Sequence, residues 1–190
     1  MSVSLRRIAV VGTSCSGKTT LSRQIAERLG CPHIELDAIH WGPNWTEVPP
    51  EVFRERALEA LSGEAWVADG NYSRREQAIL SLVDTVVWLD YPLRVVLWRA
   101  FTRSLRRVVR REELWHGNRE LLRDHLSREG MVWWVLRTHR RRRRQYAALA
   151  ADPECAHLRI VRLRSPAEAI RWLSSLQGDT PSATCHHHEG

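Results

Sequence analysis

"RIAVVGTSCSGKTTLSRQIAERL", residues 7–29, decides the fold. It opens with an apolar run of strand length and closes with apolar side chains at helical spacing. Between the two, Gly12, Gly17, Lys18 and Thr19 satisfy GxxxxGK[ST], in the strand-to-helix context that the motif requires. The glycines let the backbone curl so that successive N–H groups point at phosphate oxygens, helped by the positive end of the following helix. Gly12, Thr13, Ser14, Cys15, Ser16, Gly17, Lys18, Thr19 and Thr20 are therefore the expected cofactor-binding stretch. ATP is the expected cofactor, with Mg²⁺ on the Thr19 hydroxyl. Cys15 reads as a small loop filler facing outward.

Lys18 is the only lysine of the chain; the other 28 of its 29 basic Lys and Arg residues are arginines. A compact ammonium on a flexible stem fits between β- and γ-phosphates as a point charge, whereas a planar guanidinium is bulkier and demands bidentate geometry. A sequence biased towards arginine keeps lysine where arginine does not fit.

The chain has 190 residues, enough for one domain with a sizeable core. A net charge of +7 favours acidic partners: phosphorylated metabolites, nucleic acid or an anionic surface. Cys15, Cys31, Cys155 and Cys185 form no CxxC pair, which argues against a zinc site or disulfide framework and fits a reducing cytoplasm. No stretch approaches the ~20 apolar residues of a membrane span, so a cytoplasmic protein without membrane partners is expected. No motif specifies an oligomeric state.

Apolar strand-length runs recur, each followed by a helical segment: "HIELD" (33–37), "AWVADG" (65–70), "DTVVWLD" (84–90) and "LRIVRLR" (158–164). Their Val, Ile and Ala runs suit strands covered on both faces. With the first run they predict an α/β fold: a five-stranded parallel sheet flanked by helices. Ser165 and Pro166 supply a cap and first turn for the last helix. The polar segment at about 111–131 contains no strand and is read as an inserted helical lid. One domain, 1–176, is expected, with 177–190 as a disordered C-terminal tail.

The phosphate loop is shared by many chemistries. A guanine-reading NKxD segment is absent, which argues against a GTPase. "WVADGNYS" (66–73) ends a strand in Asp69, placing a carboxylate beside the loop where it can hold Mg²⁺ together with Thr19. After "LDYP" (89–92) comes a helix with Arg99 and Arg103 four apart on one face.

These last features resemble adenylate kinases, whose corresponding strand ends in D-x-P and whose helix carries arginines at the same offsets. More fully, "HIELDAIHWGPNW" (33–45), "DGNYS" (69–73), "LDYP", "REELWHGNRE" (111–120) and "THRRRRRQY" (138–146) are similar to adenylate kinase-like P-loop kinases of the DNA topology modulation, or FlaR, type. The resemblance spans residues 6 to 176 and implies a fold of nucleoside monophosphate kinase type. It implies Arg99 on the adenine of ATP and Arg103 on the transferring phosphate. One of Arg137, Arg140 or Arg142 would complete the clamp, with Arg137 and Arg142 as candidate catalytic residues beside Lys18 and Arg103. Asp69, Gly70, Asn71, Tyr72 and Arg74 would contact the acceptor. Ser73 stands where these kinases carry an arginine on the acceptor's phosphate.

Independently, "LDAIHW" follows the second strand and opens onto the crevice where α/β sheets bind ligands. Asp37 is suited to orient or deprotonate a hydroxyl, His40 to act as donor or base, and Trp41 to stack. The expected activity is ATP-dependent phosphoryl transfer to a small acceptor, a nucleotide or nucleoside. The rival is nucleotide-dependent binding of nucleic acid through the arginines, although five consecutive arginines circle a helix and most must be solvated.

Overall fold

The computed structural model describes residues 5–71, 77–110 and 131–176. Five parallel strands form one sheet: β1 (Arg7–Gly12), β2 (His33–Glu35), β3 (Trp66–Asp69), β4 (Thr85–Leu89) and β5 (Arg159–Leu163), in the order β2-β3-β1-β4-β5. The helices are α1 (Lys18–Leu29), α2 (Leu36–His40), α3 (Pro50–Ala60), α4 (Gln77–Leu80), α5 (Leu93–Arg110), α6 (Met131–Ala151) and α7 (Pro166–Ser175).

Because side chains alternate along a strand, β1 feeds two cores. Ile8 and Val10 pack with Leu21, Ile25, Val96, Ala100 and Ala169, beneath α1, α5 and α7. Ala9 and Val11 pack on the other face with Leu36, Phe53, Ala57 and Tyr146, beneath α2, α3 and α6. Both faces are thus covered, as the continuous apolar runs require. Gly30, at φ 66°, closes α1 by donating its N–H to the Ala26 carbonyl. Ser165 caps α7 by accepting from the Glu168 N–H at 3.2 Å, with Pro166 in the first turn as expected.

One expectation about boundaries changes, and others fall on residues that are not described. The second strand stops at Glu35, and Leu36 already begins α2, so Asp37 rides on a short helix. The segment read as a lid lies outside the described residues except for Met131, which starts α6. Tyr72, Arg74 and the tail at 177–190 also lie outside them. Among the described residues, no helix is long and apolar enough to cross a membrane.

The arginine run is not wholly free surface. Asp90, just beyond β4, is buried and held from both sides: Arg162 donates from Nε at 2.9 Å, and Arg143 Nε lies at 3.0 Å. Arg162 also lies over the Trp88 ring, 4.5 Å from its centroid. Arg140, Arg141 and Arg144 are exposed. Asp90→Asn keeps the shape but removes the charge. Since Arg143 is largely exposed and contributes little, the loss falls mainly on the Arg162 pair. A destabilisation of about 2 kcal/mol is expected, read from the denaturant midpoint.

Candidate active site

The loop after β1 needs both of its glycines. Gly12 (φ 151°) has no room for a Cβ, which would stand 2.9 Å from the Leu89 carbonyl oxygen. Gly17 (φ 95°) starts α1, and its Cβ would stand 2.8 Å from Arg99 Nη1. Either substitution adds a clash to a backbone conformation that side chains avoid. Ser16 donates its N–H to the Thr13 carbonyl at 3.1 Å and tightens the turn. Gly12 and Thr13 lie buried beneath it, while Ser14 to Thr20 line a cavity of about 1550 Å³. Cys15, at φ 64°, packs against the α1–α5 core rather than facing outward.

Strand register sets the rest. Asp69 lies opposite Val10 on one side and Glu35 on the other, so its carboxylate stands at the base of the loop. Thr19 donates its hydroxyl to Asp69 Oδ2 at 2.5 Å. His33 Nε2 approaches Asp69 Oδ1 at 3.4 Å, within ion-pair range but without hydrogen-bond geometry. No motif marks His33 in the sequence; it joins the site through this contact alone.

Lys18 is buried beside this couple, and loss of hydration pushes its ammonium below the ordinary value; Asp37 and Asp69 pull it back in part. Asp37 lines the cavity and is exposed there. Desolvation by the walls pushes its carboxyl up, opposed by Lys18 and reinforced by Asp69. A weakened acid and a weakened ammonium facing each other suit proton and phosphoryl traffic better than stability.

On the α5 side, Arg99 donates to the Ser16 carbonyl at 2.6 Å and lies 5.2 Å over the Tyr91 ring. It therefore ties α5 to the loop. Arg103, one turn on, lines the same cavity, and its buried Nε finds no partner among the described residues. Arg142 of α6 reaches the cavity, whereas Arg137 is exposed and does not line it; helical rotation separates the two. Asn71 lines the cavity and accepts a hydrogen bond from Tyr146 Oη at 3.1 Å. Gly70 is set back, where a Cβ would meet Leu36 at 3.1 Å.

Asp37, His40 and Trp41 all face the cavity, joined by Glu35, Trp45, Glu47 and Phe53. Glu47 arrives through an antiparallel bridge with Trp41, a contact that no sequence period announces.

Fit to Mg²⁺ and ATP rests on three features: the Thr19–Asp69 pair, the glycine cradle, and an Arg103 nitrogen left for an outside acceptor. Among the described residues, no group of three or more His, Cys, Asp or Glu could hold a metal alone.

No protein-family profile matches the chain, and no curated protein matches it. Solved structures do. A shikimate kinase from Acinetobacter baumannii in complex with shikimate is 19% identical, with a TM-score of 0.57 over 90% of each chain. A shikimate kinase from Bacteroides thetaiotaomicron is 14% identical, with a TM-score of 0.57 over 89% of this chain and 94% of that one. A gluconokinase from Sinorhizobium meliloti 1021 is 18% identical, with a TM-score of 0.50 over 90% and 92%. At these identities the likeness concerns the fold, which is that of P-loop kinases.

Proposed function

We propose that the chain is an ATP-dependent phosphotransferase acting on the hydroxyl of a small molecule, within the FlaR-type branch of adenylate kinase-like P-loop kinases. The observation that carries this reading is the meeting of Lys18, Thr19 and Asp37 on one cavity that Arg103 and Arg142 also line. The kinases of similar fold are named for shikimate and gluconate, both polyhydroxy compounds.

In this reading the loop N–H groups and Lys18 hold the β- and γ-phosphates. Thr19 and Asp69 would hold Mg²⁺, which supplies charge neutralisation at the transferring group. Asp37 orients the acceptor hydroxyl and takes its proton. Arg103, with Arg142, balances charge developing on the phosphoryl oxygens. Arg99 positions the loop through the Ser16 carbonyl. The resemblance points to a nucleoside or nucleotide acceptor. Asp37 and Glu35 at this end favour an acceptor without its own phosphate.

The test is ATP consumption in the presence of Mg²⁺ across nucleosides, nucleotides and hydroxy compounds, with duplex DNA as the rival ligand. Acceptor-dependent consumption, with the phosphorylated product identified by mass, is expected. No such consumption, together with duplex binding that weakens steeply with salt, would transfer the function to the arginines of α6.

A further inference from the structure

The acidic part of the cavity lining comes from β2, α2 and the segment after it. In a protein of net charge +7, this part includes the carboxylates Glu35, Asp37 and Glu47. Of the basic groups in the same lining, Arg23 is engaged with Glu35 at 3.3 Å, Lys18 lies under the phosphate loop, Arg99 and Arg103 come from α5, and Arg142 comes from α6.

The aromatic lining is arranged as a corner box. Phe53 meets His40 at 5.6 Å and 89°, His40 meets Trp41 at 4.8 Å and 81°, and Trp41 meets Trp45 at 5.8 Å and 80°. The four residues line the cavity with successive rings at right angles, and an aromatic face turned to such a space attracts a cation through its quadrupole. Trp45 sits in this box at a cost. Its φ of 56° places a bulky residue in the left-handed region that such residues avoid. Asp37 and His40 stand one turn apart on α2, as neighbours on one face of the helix.

We infer that this end of the cavity recognises a cationic group, so that the acceptor is a hydroxyl compound bearing a positively charged nitrogen. The inference rests on the phosphotransferase reading for the role of Asp37, but the cation box stands on its own geometry. Glu47 supplies the compensating charge, Trp41, Trp45 and Phe53 the faces, and Asp37 the hydroxyl contact. Phosphorylated or carboxylated acceptors are repelled by the same carboxylates.

Binding separates this inference from the kinase reading. The full-length protein, saturated with Mg²⁺ and a non-hydrolysable ATP analogue, is titrated calorimetrically with choline, its uncharged isostere 3,3-dimethylbutan-1-ol, and phosphocholine. Choline is expected to bind at least tenfold more tightly than the other two. Trp45→Gly should erase that preference without loss of thermal stability, because glycine relieves the left-handed backbone. Glu47→Gln should weaken it several-fold. Equal binding of choline and its isostere, tighter binding of phosphocholine, or no binding of choline overturns the inference. A choline preference kept without transfer to any hydroxyl compound upholds the cation box and removes the kinase reading.

Discussion

Lys18→Met is expected to lower phosphoryl transfer by at least ~10²-fold while leaving the nucleotide-free fold as stable as before, or more so. The kinetic loss follows from removing one preorganised charge from the developing γ-phosphate oxygens. The thermal result is less obvious and follows from the lysine's surroundings. Burial is the larger influence on Lys18 and depresses its ammonium, while Asp37 and Asp69 recover only part of that cost. Over the window between the depressed native pKa and the ordinary 10.5, the unfolded chain binds more protons than the folded one. Stability from this group therefore rises with pH across that window, and below it the full burial cost is present. Methionine fills the same volume without the charge, and Asp37, deprived of the ammonium, takes up a proton more readily. Calorimetric melting with and without ATP, beside a turnover assay, tests both parts. Near-normal turnover would remove the loop from catalysis, and a deep loss of stability would make Lys18 a structural ion.

Lys18→Arg should fail too, although the charge is kept and Arg103 bears on it as before. A planar guanidinium demands bidentate geometry, which a point contact between β- and γ-phosphates does not offer.

How much of this was legible in sequence can be argued from particular residues. The sheet was, because continuous burial on both faces writes itself as Val, Ile and Ala runs, and because the phosphate loop fixes where the first strand ends and α1 begins. The Thr19–Asp69 contact was also within reach, since each residue closes or follows a strand edge at the same end of the sheet. What escaped lies in contacts between distant segments with no period of their own. Glu47 enters only through a bridge to Trp41, and His33, paired with Val67 in the sheet, gains meaning only from its side-chain approach to Asp69. The arginine run also hid an ion pair: helical position alone could not say that Arg143 would meet the buried Asp90. Similarly, Arg137 and Arg142 have equal claims in sequence, yet only the latter faces the cavity.

Asp37→Asn is expected to lower kcat by ~10² to 10⁴-fold, the usual loss when a positioned base is removed. ATP affinity should stay within about threefold, a shift of under roughly 0.7 kcal/mol. The separation follows from position: Thr19 and Asp69 pair with each other at the metal side, while Asp37 stands on α2 with His40 and Trp41 at the acceptor side. Its carboxyl is raised above the ordinary 3.8 because the cavity walls strip water from it, with Asp69 adding and Lys18 opposing. A raised carboxyl is a better base, and the acid limb of kcat/KM should fall above that ordinary value. In Asp37→Asn that limb should vanish, leaving a low, flat rate on the acid side. Stability has a definite sign as well. Between the unfolded and the raised native pKa the folded chain holds the proton more firmly, so rising pH costs the unliganded fold stability from this group, and asparagine removes that cost. A collapse of ATP affinity with an intact acid limb would instead place Asp37 among the metal-holding groups and give the acceptor hydroxyl to another base.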